Sequence, residues 1–145
     1  MKPTSKIAGY IELAKPRILT LILVTTGLGF FLGSRGHLSL PQLMLTLWGA
    51  GMVCAGASAL NHYLERDVDC RMLRTRNRPI PAGLISPGSA LSYGILLVLA
   101  GVSLLAVKVN ILTAFLSLLT AFLYVLVYTP MKKVSWLNTT IGAIP

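Results

Sequence analysis

Four runs of apolar residues, each long enough to cross a bilayer, alternate with short polar turns along this chain. The first covers about residues 17–34 and ends in the polar turn Arg35-Gly36-His37. Pro41 opens the second, which passes Trp48 and Ala59 and continues without a breaker into a charged stretch at residues 61–79. Pro79, Pro81, Gly83, Pro87 and Gly88 then interrupt helical propagation. Ser86-Pro87 reads as the N-cap and first position of a third span reaching about Val107. After the turn Lys108-Val109-Asn110, a fourth span covers residues 111–128 and stops at Thr129-Pro130. A further apolar run begins at Trp136 and reaches Pro145. It falls short of the roughly 20 residues a crossing needs, so it is the start of a fifth span. Ahead of the first span, residues 4–15 place Ile7, Tyr10, Ile11 and Ala14 at helical spacing, with Lys6, Glu12 and Lys15 elsewhere on the wheel. That pattern predicts a short interfacial helix. The expected architecture is all-α: one polytopic transmembrane bundle over residues 1–145, with no separate soluble domain.

Composition agrees. The chain is 54% hydrophobic and 12% charged, against about a quarter charged in soluble domains, and its mean hydropathy is +0.74. A net charge of +9 would point to nucleic acid in a soluble protein. Beside apolar spans it points instead to anionic membrane lipid or a phosphate-bearing substrate, and not to nucleic acid. The basic residues also orient the spans. Lys2, Lys6, Lys15 and Arg17, then the five arginines near the second span's end, then Lys132 and Lys133 fall on alternate connections, while Arg35 and Lys108 stand alone on the others. The positive-inside rule therefore puts the N-terminus in the cytoplasm. The first fifteen residues lack both a secretory signal and the Arg- and Ser-rich character of a transit peptide, which favours a bacterial cytoplasmic membrane. Cys54 and Cys70 fall in a span and a charged loop respectively, so they read as isolated thiols rather than a disulfide or metal pair.

Candidate chemistry concentrates at residues 61–79. This stretch holds Glu65, Asp67 and Asp69, three of the four acids, and Arg66, Arg71, Arg74, Arg76 and Arg78, five of the thirteen bases. Asn61, Glu65 and Asp69 are spaced by four, so on a helix they form one oxygen-bearing stripe, each step rising about 6 Å and turning about 40°. Asp67 falls on the other side. Two carboxylates and an amide oxygen suit Mg²⁺, which also takes substrate phosphate oxygens. The arginines that follow can clamp phosphate. In a bilayer protein this combination points to a lipid diphosphate, and so to an allylic prenyl diphosphate. A plainer reading is that the acids merely neutralise arginines in an interfacial loop of a non-catalytic membrane protein. His62 and His37 read as hydrogen-bonded interfacial histidines, and Tyr63 and Trp48 as interface or packing aromatics.

Asn61-x-x-x-Glu65-x-x-x-Asp69, followed by Met72, Arg74-Thr75 and Arg78-Pro79, resembles the first aspartate-rich motif of the UbiA-type membrane prenyltransferases. The likeness is greatest to their heme-specific branch, the heme O synthases. Lys15-Pro16-Arg17 fits that branch, as do Tyr128-Thr129-Pro130-x-Lys132-Lys133, Leu137-Asn138-Thr139 and the residues from Ile141 to Pro145. The resemblance implies a nine-span enzyme of which this chain is about the N-terminal half, with a second aspartate-rich motif in the later half. It also implies Mg²⁺-dependent ionisation of farnesyl diphosphate and transfer of the farnesyl group to a vinyl group of protoheme. Asn61, Glu65 and Asp69 would be the catalytic metal ligands, and Arg74, Arg78 and Lys132 would bind substrate. Glu65 stands where the family commonly has Asp. A related enzyme with a quinone- or chlorophyll-type acceptor, or an inactive membrane fragment, are the alternatives.

Overall fold

The computed structural model describes residues 5–35 and 37–129. The apolar run at residues 136–145, expected to begin a fifth span, and Lys132 lie outside the described residues. Within them the expected helices form. Helix α1 is Lys6–Leu13, α2 Pro16–Gly33, α3 Leu40–Arg71, α4 Pro87–Lys108 and α5 Ile111–Phe122, with Leu123–Tyr128 continuing α5 as a π-helical stretch. Four helical stretches are long and apolar enough to cross a membrane: Pro16–Gly33, Leu40–Arg71, Pro87–Lys108 and Ile111–Tyr128.

The starts follow local chemistry. Ser5 caps α1 by accepting from the Ala8 N–H at 3.2 Å, Ser86 caps α4 through the Ser89 N–H at 3.1 Å, and Asn110 caps α5 through the Thr113 N–H at 2.7 Å. Each satisfies an amide that has no partner inside its helix. Pro16, Pro41 and Pro87 occupy first-turn positions, where the missing N–H costs nothing.

Helix α3 is the central element and touches each of the others. Its tightest partner is the antiparallel α4, and four glycines explain why. Gly49 lies against Gly101 and Leu105, and Gly56 against Gly94 and Val98. A Cβ at Gly56 would stand 2.7 Å from the Gly94 carbonyl oxygen, and one at Gly101 would stand 2.7 Å from that of Gly49. The backbones meet because there is no side chain between them, as in small-residue contacts between membrane helices. Val53, Ala57, Leu105, Ala114, Ala121 and Val125 form one core across α3, α4 and α5. Leu13, Ala59, Ile80, Ile85 and Ala90 form a second, under α1 and the loop before α4. Helix α2 buries none of its residues. Leu21, Val24, Leu28, Phe31 and Leu32 face outward, as a lipid-facing side requires, while Leu19 and Leu23 lie against Gly51 of α3.

Candidate active site

The second core holds the end of the charged loop in place through Ile80 and Ile85, and the site lies beside it at the end of α3. Asn61, Glu65 and Asp69 share one face of the helix, as their spacing requires, and all three are buried, Asp69 with 3% of its surface exposed. Asp67 points away: its side chain is 77% exposed, and it pairs with Arg66 at 3.6 Å. The loop then turns back over the acidic face. The Thr75 hydroxyl donates to the Asp69 carbonyl at 3.1 Å, and that turn brings Arg78 across. One guanidinium nitrogen, Nη1, lies 2.6 Å from Asp69 Oδ2 and 3.5 Å from Glu65 Oε2. A charge-assisted contact of the first length is strong, and the second is near the limit of a hydrogen bond.

Asn61 belongs to a different set of contacts. Its Oδ1 accepts from Lys15 Nζ at 2.8 Å, and its Nδ2 donates to Thr129 Oγ1 at 2.9 Å. Lys15 Nζ also donates to the Tyr124 hydroxyl at 3.2 Å. Thr129 Oγ1 donates to the Tyr124 carbonyl at 2.8 Å, closing the circuit. The π-helical stretch makes this possible. Its i-to-i−5 bonding lets the Tyr124 carbonyl also take the Thr129 N–H, and the Tyr124 and Tyr128 rings stack 5.8 Å apart. Single π-helical turns are frequent at functional sites. Lys15 itself adopts a left-handed backbone, φ 50° and ψ 70°, just before Pro16. That conformation is costly for a residue with a Cβ and is disfavoured further by a following proline.

An apolar cavity of about 530 Å³ opens beside this circuit, between α2, α3 and α5. Ile18, Ile22, Val53, Ala57 and Leu116 form much of its wall, and Tyr124 and Tyr128 close the end nearest Lys15 and Asn61. The volume lies within the about 300–1,000 Å³ usual for small-molecule sites.

The sequence-derived site is therefore assembled in part. Glu65, Asp69 and Arg78 converge, Asn61 shares their helix face but bonds Lys15 and Thr129, Arg74 lies exposed on the loop, and Lys132 is outside the described residues. Among the described residues no three His, Cys, Asp or Glu side chains are grouped to hold a metal. What is present is a pair of buried carboxylates one turn apart, with an amide oxygen one turn further on. That donor set fits a hard cation that completes its shell with water and phosphate oxygens. His62 departs from expectation. It is buried, 3% exposed, and neither ring nitrogen has the expected hydrogen-bond partner among the described residues. Its position directly after Asn61 turns it to the inner face of α3. Lys15, Tyr124 and Thr129 carried no distinguishing signal as a group, because they meet Asn61 only through tertiary packing.

A profile of the UbiA prenyltransferase family matches residues 22–145. A protoheme IX farnesyltransferase of Solibacter usitatus is 42% identical across 94% of this chain and 50% of its own length. The protein of that name from Anaeromyxobacter dehalogenans is 40% identical across 99% and 48%, and one from a Synechocystis strain is 42% identical across 92% and 42%. The chain spans about half the length of the curated relatives it matches. No solved structure matches it. With the acidic face, its arginine and the apolar cavity in place on a membrane bundle, and with that profile covering most of its length, the chain belongs to the UbiA prenyltransferase family.

Proposed function

We propose that the complete protein transfers a farnesyl group from farnesyl diphosphate to a vinyl group of protoheme, with diphosphate leaving and water adding to the other vinyl carbon to give heme O, in a Mg²⁺-dependent reaction at a bacterial cytoplasmic membrane. The observation that carries this reading is the meeting of two unlike surfaces. Buried Glu65 and Asp69, crossed by Arg78, stand at one end, and an apolar cavity of about 530 Å³ opens beside the adjoining Asn61. A substrate with a charged head and a long apolar tail matches that division.

Glu65 and Asp69, with the Asn61 oxygen, would hold Mg²⁺. When bound, the ion neutralises charge that builds on the departing diphosphate. Arg78 binds the diphosphate, exchanging part of its contact with the carboxylates for phosphate oxygens of the same geometry. Arg74 and Lys132 supply further positive charge to the head group. The cavity walls receive the isoprenoid tail and keep water from the reacting carbon. The names of the relatives, protoheme IX farnesyltransferases, support the choice of acceptor and donor. About half of each relative lies beyond the matched region, so this chain by itself is expected to be inactive.

The test uses membranes carrying the full-length protein, supplied with protoheme and farnesyl diphosphate, with heme O followed by chromatography. Asp69→Asn keeps the shape and removes the charge, and it is expected to abolish the product. Undiminished heme O from that variant overturns the site. Product from a quinone precursor in place of protoheme, with none from protoheme, overturns the acceptor.

A further inference from the structure

Lys15 stands at the junction of the three elements that build the site, yet no part of the proposed chemistry uses it. Its ammonium lies 2.8 Å from Asn61 Oδ1 and 3.2 Å from the Tyr124 hydroxyl, and 5.9 Å from the centre of the Tyr124 ring. The side chain thus links the start of α2 to the acidic face of α3 and to the π-helical end of the cavity wall. We propose that Lys15 is a positioning residue: with Tyr124 and Thr129 it fixes the orientation of the Asn61 carboxamide, and through it the seat of the metal–diphosphate head group. The inference rests on the prenyl diphosphate reading of the site.

An asparagine side chain can turn end for end, exchanging an acceptor for a donor of nearly the same size. Only one orientation gives Lys15 an oxygen to bond, and that oxygen keeps a second lone pair for a further cation. Here both ends are committed: the oxygen faces a permanent donor, Lys15, and the nitrogen faces Thr129 Oγ1 at 2.9 Å. Thr129 Oγ1 has already given its hydrogen to the Tyr124 carbonyl, so it can act only as an acceptor toward Asn61. Reversing the amide would set an N–H against an ammonium and an oxygen against an oxygen lone pair. Thr129 is 1% exposed and Asn61 3%, so water is poorly placed to repair either mismatch.

The backbone supplies a second, independent sign. Lys15 takes a left-handed conformation before a proline, a position that glycine or asparagine would occupy with less strain. Strain of this kind clusters where a side chain must be held in one place. A left-handed turn there ends α1 and starts α2 at the corner where the ammonium reaches Asn61.

The test measures binding as well as turnover, in the full-length protein. Calorimetric titration with farnesyl thiolodiphosphate, an unreactive analogue, is run with Mg²⁺ present. Lys15→Met keeps the length of the chain without the donor, and is expected to weaken binding about tenfold, the ~1.4 kcal/mol of one charged hydrogen bond. Lys15→Gly relieves the backbone and also removes the donor, and should weaken it equally, whereas Lys15→Arg should restore most of it. Tyr124→Phe loses one contact and should fall between. In an Asn61→Ala background, Lys15→Met should add nothing, because the lysine acts through that amide. Unchanged binding by Lys15→Met, or full and additive losses in the double variant, overturns the inference while leaving the prenyl diphosphate reading intact. Failure of the unsubstituted protein to bind the analogue overturns both. Loss of folding is read separately from thermal unfolding in detergent. If Lys15→Met and Lys15→Gly both unfold, Tyr124→Phe and its double variant with Asn61→Ala decide the matter, and additive losses there overturn the inference too.

Discussion

Arg78 sets one guanidinium nitrogen against two carboxylates that stand a helical turn apart. The side chains of Glu65 and Asp69 are 12% and 5% exposed, so their charges are poorly screened by water. Removing the cation leaves two like charges facing each other in a partly desolvated place, and breaking a buried pair in this way costs about 3–5 kcal/mol. Arg78→Ala is therefore expected to lower the thermal unfolding temperature markedly in detergent, and Arg78→Lys to lower it much less. If Glu65 and Asp69 take a divalent ion, Mg²⁺ should restore more stability to Arg78→Ala than to the unsubstituted protein, since the ion replaces the lost charge. Equal response in both would count against the carboxylates as ligands. Much of this pairing was legible in the sequence. The four-residue spacing placed Asn61, Glu65 and Asp69 on one face, and it put Asp67 outside. The choice among four arginines was not legible in the spacing, though the family resemblance pointed to Arg74 and Arg78, because it depends on how residues 72–86 turn back over the helix. The Thr75 contact with the Asp69 carbonyl decides it, and that contact has no pattern of its own. His62 was misread in its hydrogen bonding for a related reason: a histidine in a charged stretch looks well supplied with partners until packing shows which way the helix turns it.

At the scale of elements, the pairing of α3 with α4 holds the acidic face in place. Gly49 and Gly56 are seven apart, as are Gly94 and Gly101, and the two pairs meet in antiparallel register. A Cβ at Gly56 would meet the Gly94 carbonyl oxygen at 2.7 Å and the Val98 nitrogen at 2.9 Å. Both are backbone atoms, so the helices themselves must separate. Gly56→Ala is expected to cost about 1–3 kcal/mol, the usual penalty of overpacking. Gly29, on α2, has nothing within 4 Å of its would-be Cβ. There alanine should be neutral or stabilising by up to about 1 kcal/mol, because glycine is the poorer helix former. Thermal unfolding of the two variants side by side checks both expectations, and equal behaviour would remove the close-contact account of the pair. The boundaries of these helices were open to reading from apolar run length, prolines and capping residues. The π-helical stretch was not. Residues 123–128 read as ordinary helix, and the wider winding appears only with Thr129 bonded back to Tyr124.

On the scale of the whole molecule, length and charge together place the site relative to the bilayer. Helix α3 has 32 residues, or about 48 Å of helix at 1.5 Å per residue, against a hydrocarbon core of about 30 Å. The surplus is at the end bearing Asn61, Glu65 and Asp69, because the apolar residues lie before Asn61. The acidic face is therefore expected at or beyond one membrane interface, where the proposed diphosphate head group could reach it from water. Which interface is set by the basic residues. Those at the end of α3 and before α2 share one side, while Arg35 and Lys108 lie on the other. On the positive-inside rule the site is expected to face the cytoplasm. A membrane-impermeant maleimide tests this in full-length protein whose other cysteines are replaced. Native Cys70 and a His37→Cys variant are suitable probes, since both positions are exposed. In right-side-out spheroplasts the reagent should label His37→Cys and spare Cys70, and inside-out vesicles should reverse the pattern. Labelling of Cys70 from outside would turn the bundle over, and the diphosphate would then have to be supplied from the external face.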